Sequence, residues 1–146
     1  MTGRERLYRV LAIFLGLLVL AAAVAVVLAV AFPAPPEPYT EFYILGPGGK
    51  AAGYPSGFPA GSEQSVIVGI VSHEREATTY RVDVEAGGPV IAKAGPIVLA
   101  PLEKYEQPLA FKLDTAGSRQ RVTFLLYKEG ETESYRSLYL WVDVTP

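Results

Sequence analysis

The chain has 146 residues, no cysteine and a formal net charge of −2. Without cysteine it has no disulfide, no thiolate nucleophile and no thiolate ligand for zinc. Residues 1–32 carry three arginines and one glutamate, net +2, whereas residues 33–146 carry 10 basic and 14 acidic side chains, net −4. An acidic segment of this kind lacks the clustered cations that phosphate contacts require, so nucleic acid is excluded as a partner.

From Val10 to Phe32 the chain runs for 23 residues without a charged or strongly polar side chain. As a helix with a rise of about 1.5 Å per residue, this run is long enough to cross the ~30 Å hydrocarbon core of a lipid bilayer. We therefore predict a transmembrane helix over residues 10–32, preceded by a short basic tail at residues 1–9. The span contains no ionisable residue and so offers no path for ions or protons.

The charges that flank the span predict its orientation. Three arginines precede it against a single glutamate, and the first charged residues beyond it are Glu37 and Glu41. The positive-inside rule then places the N-terminus in the cytoplasm and the rest of the chain outside, as in a single-pass protein of the cell membrane. The orienting residues are Arg4, Arg6 and Arg9.

The alternative to a retained anchor is a cleaved secretory signal. Ala29-Val30-Ala31 offers the small-residue pattern that a signal peptidase accepts. The apolar run is longer than the 7–15 residues typical of a signal peptide, which favours retention.

Ala12 and Gly16 lie four residues apart, and Ala21, Ala25 and Ala29 repeat that spacing on one face of the predicted helix. Such a face lets a second membrane helix approach closely and is a candidate helix-packing stripe. Alternatively, alanine and glycine are simply frequent in membrane helices. The stripe consists of Ala12, Gly16, Ala21, Ala25 and Ala29.

Residues 33–38 contain four prolines. Proline cannot continue a helix, and a run this dense favours the extended polyproline form, a semi-rigid spacer of roughly 19 Å. A flexible tether is the alternative.

From Tyr39 onward the apolar pattern has a period of two and is interrupted by Gly and Pro, which predicts strands. Their number and spacing predict that residues 39–146 form an all-β domain, an immunoglobulin-like antiparallel β-sandwich of 7–8 strands. The predicted strands are residues 39–46, 66–71, 80–86, 89–94, 96–100, 109–113, 122–127 and 138–144.

The last two predicted strands have an aliphatic face and an aromatic face. Val122, Phe124 and Leu126 share the aliphatic parity with Leu138, Leu140 and Val142, which suits the core. The opposite parity forms a candidate surface for a protein partner or for sugar rings. If the parity is reversed, or if a loop covers this face, its residues are core. They are Leu125, Tyr127, Tyr139 and Trp141.

A second candidate binding element is the loop at residues 50–63, which is rich in Gly and Pro and carries Tyr54 and Phe58. Long loops with embedded aromatic residues sometimes bind partners, but they also cover the edge of a sandwich.

The sequence offers little for catalysis. His73 is the only histidine, so a catalytic role would require a second titratable group beside it in the fold. The segment Gly46–Lys50 superficially resembles a phosphate-binding loop, but Ala51 stands where Ser or Thr would hold Mg²⁺. We predict a protein that is not an enzyme and that has no catalytic residues, no metal site and no cofactor.

Recognisable segments lie at residues 41–47, 50–51, 53–55, 68–74, 124–127 and 135–142. Together they resemble the C-terminal module of a family of uncharacterised prokaryotic membrane proteins, domain of unknown function 1616. The resemblance covers about residues 40–144 and implies an envelope-facing, immunoglobulin-like fold without catalytic residues. Ser72 stands where Asn is expected, Tyr105 stands where Trp is expected, and many relatives have several membrane helices where this chain has one.

These observations predict a non-catalytic interaction module that is anchored in the lipid bilayer. Its role would be that of an accessory subunit in an assembly of membrane or cell-surface proteins. The alternative is a carbohydrate-binding module for envelope polymers or glycolipid precursors, with Tyr127, Tyr139 and Trp141 as stacking platforms. A hydrolase or transferase domain is the weakest alternative.

Overall fold

The computed structural model describes residues 2–146, so Met1 of the predicted basic tail lies outside the described residues. The chain divides into two compact units, a helical segment up to Glu37 and a β domain from Pro38 to Pro146. The elements are α1 (Gly3–Ala31), β1 (Tyr39–Leu45), β2 (Gly57–Pro59), β3 (Glu63–His73), β4 (Thr78–Ala86), β5 (Val90–Leu99), β6 (Lys104–Lys112), β7 (Gly117–Lys128) and β8 (Arg136–Thr145).

Helix α1 begins seven residues before the apolar run, so most of the predicted basic tail is helical. Thr2 caps the helix, and its hydroxyl oxygen accepts a hydrogen bond from the backbone N–H of Glu5 at 3.5 Å. The helix ends at Ala31 because Pro33 cannot continue it. Its length and apolar composition make α1 a candidate membrane anchor or signal.

The eight strands form two sheets. One sheet has three strands in the order β1-β3-β6, and the other has five in the order β2-β8-β7-β4-β5. Neighbouring strands are antiparallel except for β2 and β8, which are parallel. The predicted antiparallel β-sandwich is therefore present, with one short parallel pair at an edge.

The core lies between the two sheets and follows the alternation of each strand. The side chains of Val68 in β3, Val84 in β4 and Phe124 in β7 are completely buried. Three aromatic rings join the layers edge to face, with ring centroids 6.0 Å apart for Phe111 and Phe124 and 6.5 Å apart for Phe58 and Phe111. The β domain thus has its own hydrophobic core.

Strand β5 replaces two strands that the sequence predicted separately. Its pairing with β4 shifts register between Tyr80 and Val82, opposite the Gly95-Pro96 dipeptide. Gly95 has φ +124°, and a Cβ atom there would lie 2.9 Å from the carbonyl oxygen of Tyr80. The Gly-Pro pair therefore produces a bulge within one strand and does not end it.

Strand β2 was not predicted, because three residues that include Gly57 and Pro59 show no periodicity. It lies within the predicted loop at residues 50–63 and pairs with Asp143–Thr145 of β8. The loop therefore contributes an edge strand to the larger sheet.

A polar cluster lies at the start of β1. The hydroxyl of Thr40, which is 1% exposed, is 2.7 Å from the hydroxyl of Tyr80 and donates to Glu74 at 2.9 Å. Lys128 donates to the same oxygen of Glu74 at 2.6 Å, and the hydroxyl of Tyr135 accepts from the backbone N–H of Thr40 at 3.1 Å. The cluster satisfies the polar groups at this end of the sandwich and ties β1 to β4 and to the β7–β8 connection.

Candidate functional site

The outer face of the five-stranded sheet presents two exposed aromatic side chains on β8. Tyr139 is 59% exposed and Trp141 is 52% exposed, whereas Val142 next to them is buried. Their ring centroids are 6.0 Å apart and their planes are inclined by 75°. The burial pattern of β7 and β8 thus has the parity that the sequence indicated.

The four residues of the predicted aromatic surface do not form one continuous strip. The strand partners of Tyr139 and Trp141 are Thr123 and Arg121, so Leu125 and Tyr127 lie further along β7. Both of those residues are half-buried. The guanidinium of Arg81 lies 4.3 Å from the centre of the Tyr127 ring. The exposed part of the surface is therefore the Tyr139–Trp141 pair.

Two arginines lie beside Trp141 of this pair. Arg121 lies opposite Trp141 in the β7–β8 ladder, and the guanidinium carbon of Arg119 lies 5.8 Å from the centre of the Trp141 ring. Within residues 2–146, neither arginine forms a salt bridge. Both arginines line an open cavity of about 440 Å³ together with Trp141 and Glu85. The patch thus places two arginines and one glutamate around the exposed ring of Trp141.

Arg119 has an unusual backbone conformation, with φ +50°. It lies where the pairing of β7 with β8 shifts register, and its backbone N–H donates to a carboxylate oxygen of Asp143 at 2.8 Å. A residue other than glycine rarely adopts a positive φ, and such residues are often found at functional sites.

The two arginines are not among the residues predicted from the sequence, although the sequence contains one signal for them. Arg119 and Arg121 have the same odd parity as Leu125 and Tyr127, so an outward direction for all four could have been inferred from the alternation. The left-handed residue and the bulge that place Arg119 beside Trp141 have no such signal.

The two aromatic residues of the 50–63 loop have structural positions. Phe58 of β2 is 5% exposed and packs edge to face against Phe111, so it belongs to the core and is not available to a partner. Tyr54 is half-buried, and its hydroxyl donates to the carbonyl oxygen of Ile44 in β1 at 3.0 Å. The loop covers one side of the sandwich, which was the second of the two interpretations.

The candidate helix-packing stripe lies on α1, where no residue is buried. Its five members are therefore exposed on the helix, and around Gly16 there is open space for at least one methyl group. The orienting arginines are also exposed and belong to the first turns of the same helix. Both features remain predictions.

His73 has a titratable neighbour. Its Nε2 atom lies 3.2 Å from a carboxylate oxygen of Glu41, and its ring stacks on Tyr39 with centroids 4.3 Å apart. This arrangement places His73 on the outer face of the three-stranded sheet, whereas the buried Ser72 beside it points to the opposite face. In the described part of the chain, the carboxylate of Glu41 is the only side-chain hydrogen-bond partner of the imidazole.

A second ionic group lies on the same sheet. The hydroxyl of Tyr43 donates to a carboxylate oxygen of Glu106 at 2.9 Å, and Lys104 lies 2.8 Å from that oxygen. Burial, followed by the hydrogen bond to Glu106, raises the pKa of Tyr43, while the hydrogen bond from Lys104 lowers the pKa of Glu106. Among residues 2–146, no group of three or more His, Asp and Glu side chains could hold a metal ion.

The sequence profile of a family described as domain of unknown function 1616 matches residues 33–143. A search of curated proteins gave no significant match.

Two solved structures of a CARDB domain from Pyrococcus furiosus have a similar fold. The crystal structure, in complex with di-metal ions, is 14% identical with a TM-score of 0.53, and the match covers 74% of this chain and 89% of that one. The solution NMR structure is also 14% identical with a TM-score of 0.54, over 73% of this chain and 94% of that one. The predicted immunoglobulin-like β-sandwich is therefore confirmed.

Proposed function

The chain belongs to the domain of unknown function 1616 family, and from this premise we propose that it is a non-catalytic, membrane-anchored interaction module. Helix α1 is retained in the lipid bilayer with its N-terminus in the cytoplasm. The β-sandwich is held outside the cytoplasm and binds another membrane or cell-surface protein as an accessory subunit of an assembly.

The observation that carries the proposal is the composition of the exposed patch on β7 and β8. The patch combines Tyr139 and Trp141 with two arginines, Arg119 and Arg121, that form no salt bridge in the described residues. Tryptophan, tyrosine and arginine are the residues most enriched in the energetic centres of protein interfaces. Single exposed apolar residues are common on any protein, but this combination at one place favours a protein partner.

A glycan surface is favoured less. Successive sugar rings stack on aromatic faces that are open and similarly oriented, whereas Tyr139 and Trp141 are inclined by 75°. The third residue of that alternative, Tyr127, has its ring covered by Arg81.

The test compares partner retention between variants of the full chain. We expect mild detergent extraction to recover the wild-type protein in a stoichiometric complex with a different polypeptide, identified by mass spectrometry. Trp141→Ala should weaken the complex at least about tenfold, because removal of an interface centre costs more than about 1.4 kcal/mol. Val98→Ala on β5 is the matched control, since Val98 is 62% exposed and lies outside the patch.

Recovery of the wild-type protein without any other polypeptide would contradict the proposal, as would equal retention by Trp141→Ala and Val98→Ala. Binding of the wild type to a glycan array that is lost in Trp141→Ala would instead support the carbohydrate-binding alternative.

A further inference from the structure

One edge of the five-stranded sheet is only partly covered. Strand β2 pairs with β8 from Asp143 to Thr145. The backbone N–H of Asp143 donates to the carbonyl oxygen of Ser56, and that of Ala60 donates to Thr145, both at 2.8 Å. Residues 136–142 of β8 precede this contact and have a strand neighbour on the β7 side alone.

The alternation of the strand identifies which backbone groups face the uncovered edge. Since the N–H of Asp143 points toward β2, the N–H and C=O groups of every second residue before it point the same way. These residues are Ser137, Tyr139 and Trp141. Within residues 2–146, none of their edge-facing backbone groups has a hydrogen-bond partner.

The other long edges of the sandwich are protected against strand pairing. Strand β5 has Lys93 and the Gly95-Pro96 bulge, and β6 has two lysines and Pro108. Lysine, proline and bulges are the features by which edge strands avoid pairing with other chains. Residues 136–142 contain no lysine, proline or bulge, and Arg136 at their start is the single charged side chain.

Strand β1 faces β8 across the open side of the sandwich, and side-chain hydroxyls bond to its backbone near both ends. Tyr135 accepts from the N–H of Thr40, and Tyr54 donates to the carbonyl oxygen of Ile44. Two cavities of about 570 Å³ and 350 Å³ lie between these edges, and both are lined by Ser137 and Leu138. The free backbone groups of β8 therefore border open space.

We propose that residues 136–142 pair with the same residues of a second copy of this chain, so that two β8 strands lie antiparallel and join the two five-stranded sheets. Unpaired N–H and C=O groups in a row are matched by an extended polypeptide, and neither a sugar nor a lipid provides that pattern. The pairing goes beyond the proposed accessory role, because it uses the backbone edge of β8 while its aromatic side chains remain on the outer face.

The register follows from the direction of the backbone groups. In an antiparallel pair, residues that exchange both hydrogen bonds lie directly opposite each other. With Tyr139 opposite Tyr139 of the second copy, Ser137 lies opposite Trp141, and all outward groups of the three residues are satisfied. Arg136 then lies opposite Val142, so that no like charges meet.

The free segment is also self-complementary in length. It starts at Arg136, the first residue of β8, and ends at Val142, just before Asp143, where the pairing with β2 begins. In this register, residues 136–142 of each chain are paired along their whole length. The contact is two-fold symmetric and leaves neither segment free for a third copy, so the assembly closes as a dimer.

Single-cysteine variants of the full chain in its membrane test the pairing, because the wild-type sequence has no cysteine. In the proposed register, the two Cα atoms at position 139 lie about 5.5 Å apart, which is within the range of a disulfide. Tyr139→Cys should therefore give a disulfide-linked dimer on oxidation. Ser137→Cys should not, because its two copies are offset by four residues, about 14 Å along the strands. Val98→Cys on β5 is the control for random collision.

The dimer of Tyr139→Cys must have twice the mass of the chain, and all three variants must melt as the wild type does. Absence of a cross-link in folded Tyr139→Cys would overturn the proposal. Equal cross-linking of Ser137→Cys or Val98→Cys, or a cross-link of Tyr139→Cys to a different polypeptide, would also overturn it. Partner retention by Trp141→Ala is measured in a separate experiment. A negative cross-linking result would therefore overturn the β8 pairing and leave the proposed accessory role standing.

Discussion

Glu74 connects the polar groups at the start of β1. Its side chain is 12% exposed and shares one carboxylate oxygen between Lys128 and Thr40. Burial alone raises the pKa of Glu74, but the hydrogen bonds from Lys128 and Thr40 and the positive charge of Lys128 outweigh it, so that the pKa lies below the ordinary 4.5. The ionised carboxylate is thus favoured in the folded state.

We predict that this carboxylate makes the stability of the β domain depend on pH. A group whose folded pKa is depressed stabilises the fold above its unfolded pKa, and this contribution is lost as the pH falls through the folded pKa. The free energy of unfolding should therefore fall as the pH falls below 4.5. In Glu74→Gln this decrease should be smaller. Denaturant unfolding at a series of pH values, followed by the fluorescence of the single tryptophan, measures the unfolding free energy of the wild type and of Glu74→Gln.

Glu76→Gln is the matched control, because Glu76 is exposed and has no side-chain salt bridge in the described part of the chain. Its pH profile should follow the wild type. A profile of Glu74→Gln as steep as that of the wild type would contradict the role of Glu74.

At the scale of elements, the strands with clear alternation could be predicted from sequence. From Val122 to Leu126 in β7 every second residue is apolar and buried, and in β8 the alternate apolar residues from Leu138 to Val144 are half-buried or buried. Strand identity and facing both followed from this pattern. Strand β2 could not be predicted, because its place is set by pairing with β8, more than 80 residues away along the chain. In β5, Gly95 and Pro96 suggested a break, and only the neighbouring β4 accommodates them as a bulge.

For the candidate surface, too, some features follow from the pattern of one strand and others depend on its pairing with a neighbour. The exposure of Tyr139 and Trp141 follows from parity, whereas their separation from Leu125 and Tyr127 depends on the register of β7 with β8. Register is a property of the paired strands, and one strand's sequence does not specify it. Phe58 could not be assigned to the core because its strand was not recognised.

Two neighbouring residues of β7 that face opposite sides of the sheet should differ in their contribution to stability. Phe124→Ala removes a buried ring from the core and should cost about 3–5 kcal/mol of unfolding free energy. Leu125→Ala, on the opposite face, should cost about 1 kcal/mol or less. Denaturant unfolding of the full chain in detergent compares the two. A larger loss for Leu125→Ala than for Phe124→Ala would contradict the facing of this strand.

At the scale of the whole molecule, an apolar helix precedes an acidic β domain along the chain. Helix α1 has three arginines before its apolar run and none after it. This asymmetry is the physical basis for the proposed orientation, with the N-terminus in the cytoplasm and the β domain outside it. The proposed partner surface depends on that placement, because partners in the envelope reach only what lies outside the cytoplasm.

Thiol labelling in intact cells tests this placement most directly, since single cysteines enter a chain that has none. Val98→Cys reports on the β domain, where the residue is 62% exposed, and Gly3→Cys reports on the start of α1, where there is open space around the residue. With a maleimide that cannot cross the membrane, we predict that Val98→Cys reacts in intact cells and that Gly3→Cys reacts only after permeabilisation. Labelling of Val98→Cys only after permeabilisation, or a mature chain that starts near Phe32, would contradict the account.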